Sequence, residues 1–135
     1  MRAADSVREI RLLWAAISGV LIGAFNWLMV GLISGSFDPF DSSLGLLINQ
    51  LILAIPAMRL AWLYRAHVWL LFLLCAYVGL NAASYVFGSL EARAWFMPGA
   101  FTSVVFLFYP AVLALGLTVF RAFQRKRSDS RLSQD

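Results

Sequence analysis

The sequence predicts an all-α fold, an integral membrane four-helix bundle with both termini cytoplasmic. Three observations predict it. The chain carries four continuous apolar runs, roughly Leu12 to Ile33, Leu44 to Tyr64, Val68 to Phe87 and Phe101 to Phe120. Each is about 20 residues, the length a helix needs to cross a hydrocarbon core of about 30 Å. Only 13% of the residues are charged, about half of what a soluble domain carries. Ten of the eleven basic residues lie on one side of the four runs. A closed barrel would also satisfy backbone polar groups in lipid, but its strands alternate with period two and these runs do not.

The charge asymmetry gives the orientation. Arg2, Arg8 and Arg11 precede the first run, and Arg59 and Arg65 flank the connection between the second and third. Arg121, Arg125, Lys126, Arg127 and Arg131 follow the fourth, and Arg93 alone lies on the other side. Positive residues stay cytoplasmic. An even number of spans returns the chain to the side it started from, so span count and charge agree independently. A bias this strong argues against a protein that inserts in both orientations. Arginine outnumbers lysine ten to one, a composition that fits a GC-rich bacterium. The expected location is a bacterial inner (plasma) membrane.

Each segment has its reason. Residues 1–11 alternate charge with Val7 and Ile10, either as an amphipathic cytoplasmic lead-in at the interface or as a helical extension of the first span. The first run is longer than a typical signal-peptide core and no clear cleavage site ends it. The loop Ser34 to Ser43 is rich in Gly, Pro and Asp. There Asp41, Ser42 or Ser43 suits the N-cap of the second span, and Asp38 and Asp41 read as solvated. The connection Tyr64 to His67 is so short that spans two and three must form a tight antiparallel hairpin. Trp62, Tyr64 and Trp69 suit the inner interface and Trp95 the outer, and Arg59 can snorkel to the headgroups. In the loop Gly88 to Gly99 the apolar half suits the membrane surface, and Pro98 starts the fourth span, where a missing N–H costs nothing. Residues 12–120 thus form the four-span domain and 121–135 a basic cytoplasmic tail. Its cluster Arg121, Arg125, Lys126 and Arg127 attracts anionic lipid headgroups at about 1 kcal/mol per charge, and also resembles a stop-transfer signal. The last eight residues are expected to be disordered.

Lipid does not drive helices together as water does, so close packing relies on small residues. The first span carries Ala16, Gly19 and Gly23; the second Gln50, Ala54, Ala57 and Ala61; the third Cys75, Gly79 and Ala82. Gly19, Gly23, Ala54, Ala57 and Gly79 are the candidate association residues. The first two stripes are expected to face each other, the alternative being an interface with a second protomer or another protein. The third span has a further non-lipid face at Tyr77, Asn81, Ser84 and Tyr85. Pro56 and Pro110 each free a carbonyl inside a span. Trp14 and Asn26 recur as Trp69 and Asn81 at the same spacing, a weak internal echo that coincidence also explains.

The chemistry is sparse. No Asp, Glu, Lys or Arg lies near the middle of any span, which argues against proton-coupled transport. His67 and Cys75 are single, so neither a metal site nor a disulfide within the chain is expected. No cofactor, catalytic residue or nucleic-acid partner is expected, and the chain reads as a non-enzyme. The length and span number resemble those of small multidrug transporters. Those need a glutamate in the first span, where this chain has Ser18, Gly19 and Gly23.

What remains is a layer of neutral polar groups in the outer half: Asn26, Asn49, Gln50, Asn81, Ser84 and Tyr85, with Thr102 and Ser103. An amide left unpaired in hydrocarbon costs several kcal/mol, so these groups must form an interhelical clamp or a polar cup open to a ligand. Two functions are carried forward. The leading one is an accessory, assembly or regulatory subunit of an envelope complex, acting by association; in the lipid bilayer a membrane-protein partner is expected, or else a homo-oligomer. The alternative is a facilitator or carrier for a neutral small molecule or lipid through the cup.

Overall fold

The computed structural model describes residues 2–34, 43–88 and 96–132. It is all-helical: α1 (Arg2–Ser34), α2 (Ser43–Leu63), α3 (Ala66–Phe87), a short α4 (Phe96–Thr102) and α5 (Val105–Leu132). Among the described residues, four stretches are long and apolar enough to cross a membrane: Ser6–Ile33, Ser43–Leu63, Ala66–Phe87 and Ala100–Ser128. The expectations placed on Asp38, Asp41, Ser42 and Trp95 lie outside the described residues.

The lead-in continues α1 without a break from Arg2. Its Ala, Arg, Glu and Leu are good helix formers and no Gly or Pro interrupts them before Gly19. Two residues separate α2 from α3. The Tyr64 N–H still donates to Leu60 O at 2.8 Å, and the Val68 N–H donates to Arg65 O at 3.1 Å, which closes the turn. Both internal prolines are accommodated, Pro56 within α2 and Pro110 within α5.

Several expectations are corrected here. The fourth span, Ala100–Ser128, contains the expected run Phe101 to Phe120 but is interrupted near its start. It breaks at Ser103 and Val104, where the Phe106 N–H donates to Ser103 O and the Leu107 N–H to Val104 O, each at 3.0 Å. Those three-residue steps tighten the backbone and separate α4 from α5. Pro98 stands in the first turn of α4, where its missing N–H has no helical partner to lose. Of the last eight residues, expected to be disordered, those described, 128–132, continue the helix to Leu132, since Gln, Lys and Arg extend a helix already nucleated by the span. Trp69 is buried in the core rather than placed in an interfacial belt.

The pairing of helices also differs from expectation. α1 packs most extensively on α3 and α2 on α5, while the hairpin neighbours α1–α2 and α2–α3 touch less. The glycine stripe of α1 therefore meets α3, not the alanine stripe of α2. A Cβ added at Gly19 would sit 2.5 Å from Phe72 O and 2.8 Å from Cys75 Cβ, and one added at Gly23 or Gly79 would strike the backbone of Ala76 or Val20. Only glycine admits backbones this close. Contacts advance together along both helices, from Gly19 beside Phe72 to Trp27, whose ring stacks on Phe87 at 6.3 Å. The pair is therefore parallel. Two apolar clusters fill the bundle. One, with Ala57, Ala61, Trp69, Phe72 and Ala114, lies toward the basic end; the other, with Trp27, Leu80, Ala83 and Phe106, toward the far end.

Candidate functional site

The far end holds the polar layer, and its amides bond in two groups. Asn26 and Asn49 are fully buried, and Asn26 Nδ2 donates to Asn49 Oδ1 at 2.7 Å and to Asn49 O at 3.2 Å, tying α1 to α2. In the second group, Asn81 Nδ2 donates to Tyr77 O at 2.8 Å, and Ser103 Oγ donates to Asn81 Oδ1 at 3.2 Å and Ala100 O at 2.9 Å. The Tyr77 hydroxyl also donates to Ala100 O. Two residues of the second polar face of α3, Tyr77 and Asn81, are therefore met by α4 and the turn at Ser103 that follows it. Each half of the chain closes with one such bond, between residues 23 apart in the first and 22 apart in the second.

The remaining candidates scatter. Gln50 is buried, Ser84 half-buried, and Tyr85 is 51% exposed. Thr102 is exposed and its hydroxyl donates to Pro98 O at 3.1 Å. Among the described residues three buried atoms have no hydrogen-bond partner: Asn26 Oδ1, Asn49 Nδ2 and Gln50 Oε1. Among the association candidates, Gly19, Gly23 and Gly79 line the α1–α3 contact, and Ala54 and Ala57 are buried in α2.

The basic end is more organised than the sequence suggested. Arg121, expected at lipid headgroups, turns inward. Its Nη1 donates to Ala61 O at 2.7 Å and to Tyr64 O at 3.2 Å, and its guanidinium lies 5.9 Å from the Trp62 ring. The last carbonyls of a helix lack intrahelical donors and carry partial negative charge, so a cation there is favourable. One turn inward, Trp69 Nε1 donates to the Thr118 hydroxyl at 3.1 Å, which donates in turn to Ala114 O at 2.8 Å. Arg11 of α1 lies 5.5 Å over the Tyr64 ring, within cation–π range.

These contacts frame a cleft of about 580 Å³ between α1, the α2–α3 turn and α5. Arg8, Arg11, Arg65, His67, Arg121 and Arg125 line it, with Val7, Leu63 and Val68 as an apolar wall. Lys126 and Arg127, expected to share the role of Arg121 and Arg125, are exposed and outside it. A sequence signal existed. Thr118, Arg121 and Arg125 fall at helical spacing on one face, as Arg8 and Arg11 do on another.

Among the described residues no three His, Cys, Asp or Glu side chains converge as metal ligands, and Cys75 is a free, half-buried thiol. Comparisons with protein-family models, curated proteins and solved structures find no match. The chemistry on offer is hydrogen bonding between helices at one end and guanidinium groups at the other.

Proposed function

We propose that this chain is a multi-pass protein of a bacterial inner membrane, with both termini cytoplasmic, that works by association as an accessory, assembly or regulatory subunit. The observation that carries the reading is the far polar layer. Two of its bonds tie separate segments together, Asn26 to Asn49 and Ser103 to Asn81, which supports reading the span interior as a scaffold. Function then belongs to the outer faces. α5 is the face a partner helix would use. Only 22% of its most apolar stretch is buried, against 33%, 39% and 39% for the other spans, and at Gly116 an added Cβ meets nothing within 4 Å. A photo-crosslinking side chain placed at Gly116 in native membranes tests this. A single discrete protein adduct is expected; adducts with lipid alone would defeat the reading.

A second reading rests on a specific observation, the unpaired Asn26 Oδ1, Asn49 Nδ2 and Gln50 Oε1. Two acceptors and a donor in the same polar layer are the groups a neutral polar solute would pair with, as a facilitator or carrier would need. Replacing Asn26 and Asn81 by Leu separates the two. A clamp loses thermal stability, whereas a cup keeps its fold and loses solute binding.

A further inference from the structure

We infer that the basic cleft is a binding site for a phosphate-bearing anion, with the headgroup phosphate of an anionic lipid as its occupant. Five guanidinium groups from three separate segments surround one concavity: Arg8 and Arg11 of α1, Arg65 of the turn, and Arg121 and Arg125 of α5. No carboxylate among the described residues lines it. Like charges gathered at one place repel, and an anion between them removes that repulsion. Guanidinium forks match the oxygens of a phosphate two at a time.

The site is built rather than merely charged. Arg121 is anchored on two carbonyls of α2's end, and Arg11 is held over Tyr64. The Thr118 hydroxyl is already committed to Trp69 and Ala114, so the arginines carry recognition. The position favours a lipid over a soluble phosphate. Arg121 directly follows the apolar run that ends at Phe120, and Val7, Leu63 and Val68 give the cleft an apolar side. An amphiphile needs both halves. The inference does not depend on a protein partner and stands apart from the proposed association.

The test compares two double variants that remove the same charge. R65Q/R125Q removes two exposed arginines from the cleft; K126Q/R127Q removes two charges outside it. Binding of phosphatidylglycerol, with phosphatidylcholine as the neutral control, is read by native mass spectrometry of the detergent-solubilised full chain. A second arm titrates inorganic pyrophosphate at constant ionic strength. A thermal melt of each variant confirms its fold. The expected result is a loss of phosphatidylglycerol binding about tenfold larger for R65Q/R125Q than for K126Q/R127Q, the effect of one charge-assisted hydrogen bond. Displacement of the lipid by pyrophosphate would support the same phosphate chemistry from a soluble source. Equal losses in the two variants would mean diffuse attraction to a basic tail and would overturn the site, as would equal retention of phosphatidylcholine.

Discussion

Gly23→Ala adds a single methyl group, and the structure says where it goes. The new Cβ would lie 2.7 Å from the Ala76 carbonyl carbon and 2.8 Å from its Cα, with the carbonyl oxygen nearer still. Ordinary contact begins at 3.4 Å, so the gap is short by about 0.7 Å at the carbon and by more at the oxygen. Nothing at the collision can swing aside, because every atom struck is backbone. α1 and α3 must move apart, and the contacts along their length weaken together, since a gap of about 0.5–1 Å forfeits a quarter to a half of each dispersion well. Overpacking of this kind costs about 1–3 kcal/mol, or roughly 5–10 °C in apparent melting temperature for a chain of this size. The control is Gly116→Ala, the same chemical change with nothing within 4 Å. Helix propensity alone makes it neutral or stabilising by up to about 1 kcal/mol. Thermal unfolding of the two variants in one detergent, followed by circular dichroism, reads the difference. Equal melting temperatures would refute the claim that α1 and α3 meet backbone to backbone.

Other outcomes follow from single bonds. Asn49→Ala removes the shorter of the two bonds that Asn26 Nδ2 donates and keeps the one to the backbone O of residue 49, so it should cost about 0.5–1.5 kcal/mol. A double-mutant cycle between Asn26→Leu and Asn49→Leu should give a coupling near 0.6 kcal/mol, the average for such bonds in lipid, and zero coupling would remove the clamp. Thr118→Val leaves the buried Trp69 N–H without an acceptor and should cost about 1–3 kcal/mol, read by chemical denaturation with tryptophan fluorescence. Arg121→Gln removes the donor to the end of α2 and should cost about 0.5–2 kcal/mol more than Arg127→Gln, by the size of cap and dipole effects; equal melting would show that Arg121 does not brace the bundle.

The spans were legible because length and hydropathy are local properties. The run from Leu44 to Tyr64 needs no partner to announce itself, and α2 ends within one residue of that bound. Partner choice was not legible. The stripe Gly19–Gly23 says that something approaches closely, and alanines on α2 fit it as well on paper as α3 does. What decides is steric depth. Gly79 faces Val20 while Gly23 faces Ala76, a reciprocal fit that α2, whose only glycine is Gly45, cannot offer. The break between α4 and α5 was hidden for a related reason. Ser103 turns its hydroxyl back to Ala100 and across to Asn81, and such a choice depends on a helix 22 residues away. At the basic end the charges were legible but their concavity was not. Arg121 looked like one of four tail cations until α2's carbonyls were seen beside it.

Native mass spectrometry of the tagged chain, extracted gently from its own membrane, tests the proposed association most directly. A stoichiometric second protein is the predicted result. A monomer or homo-oligomer that carries no second protein would contradict it.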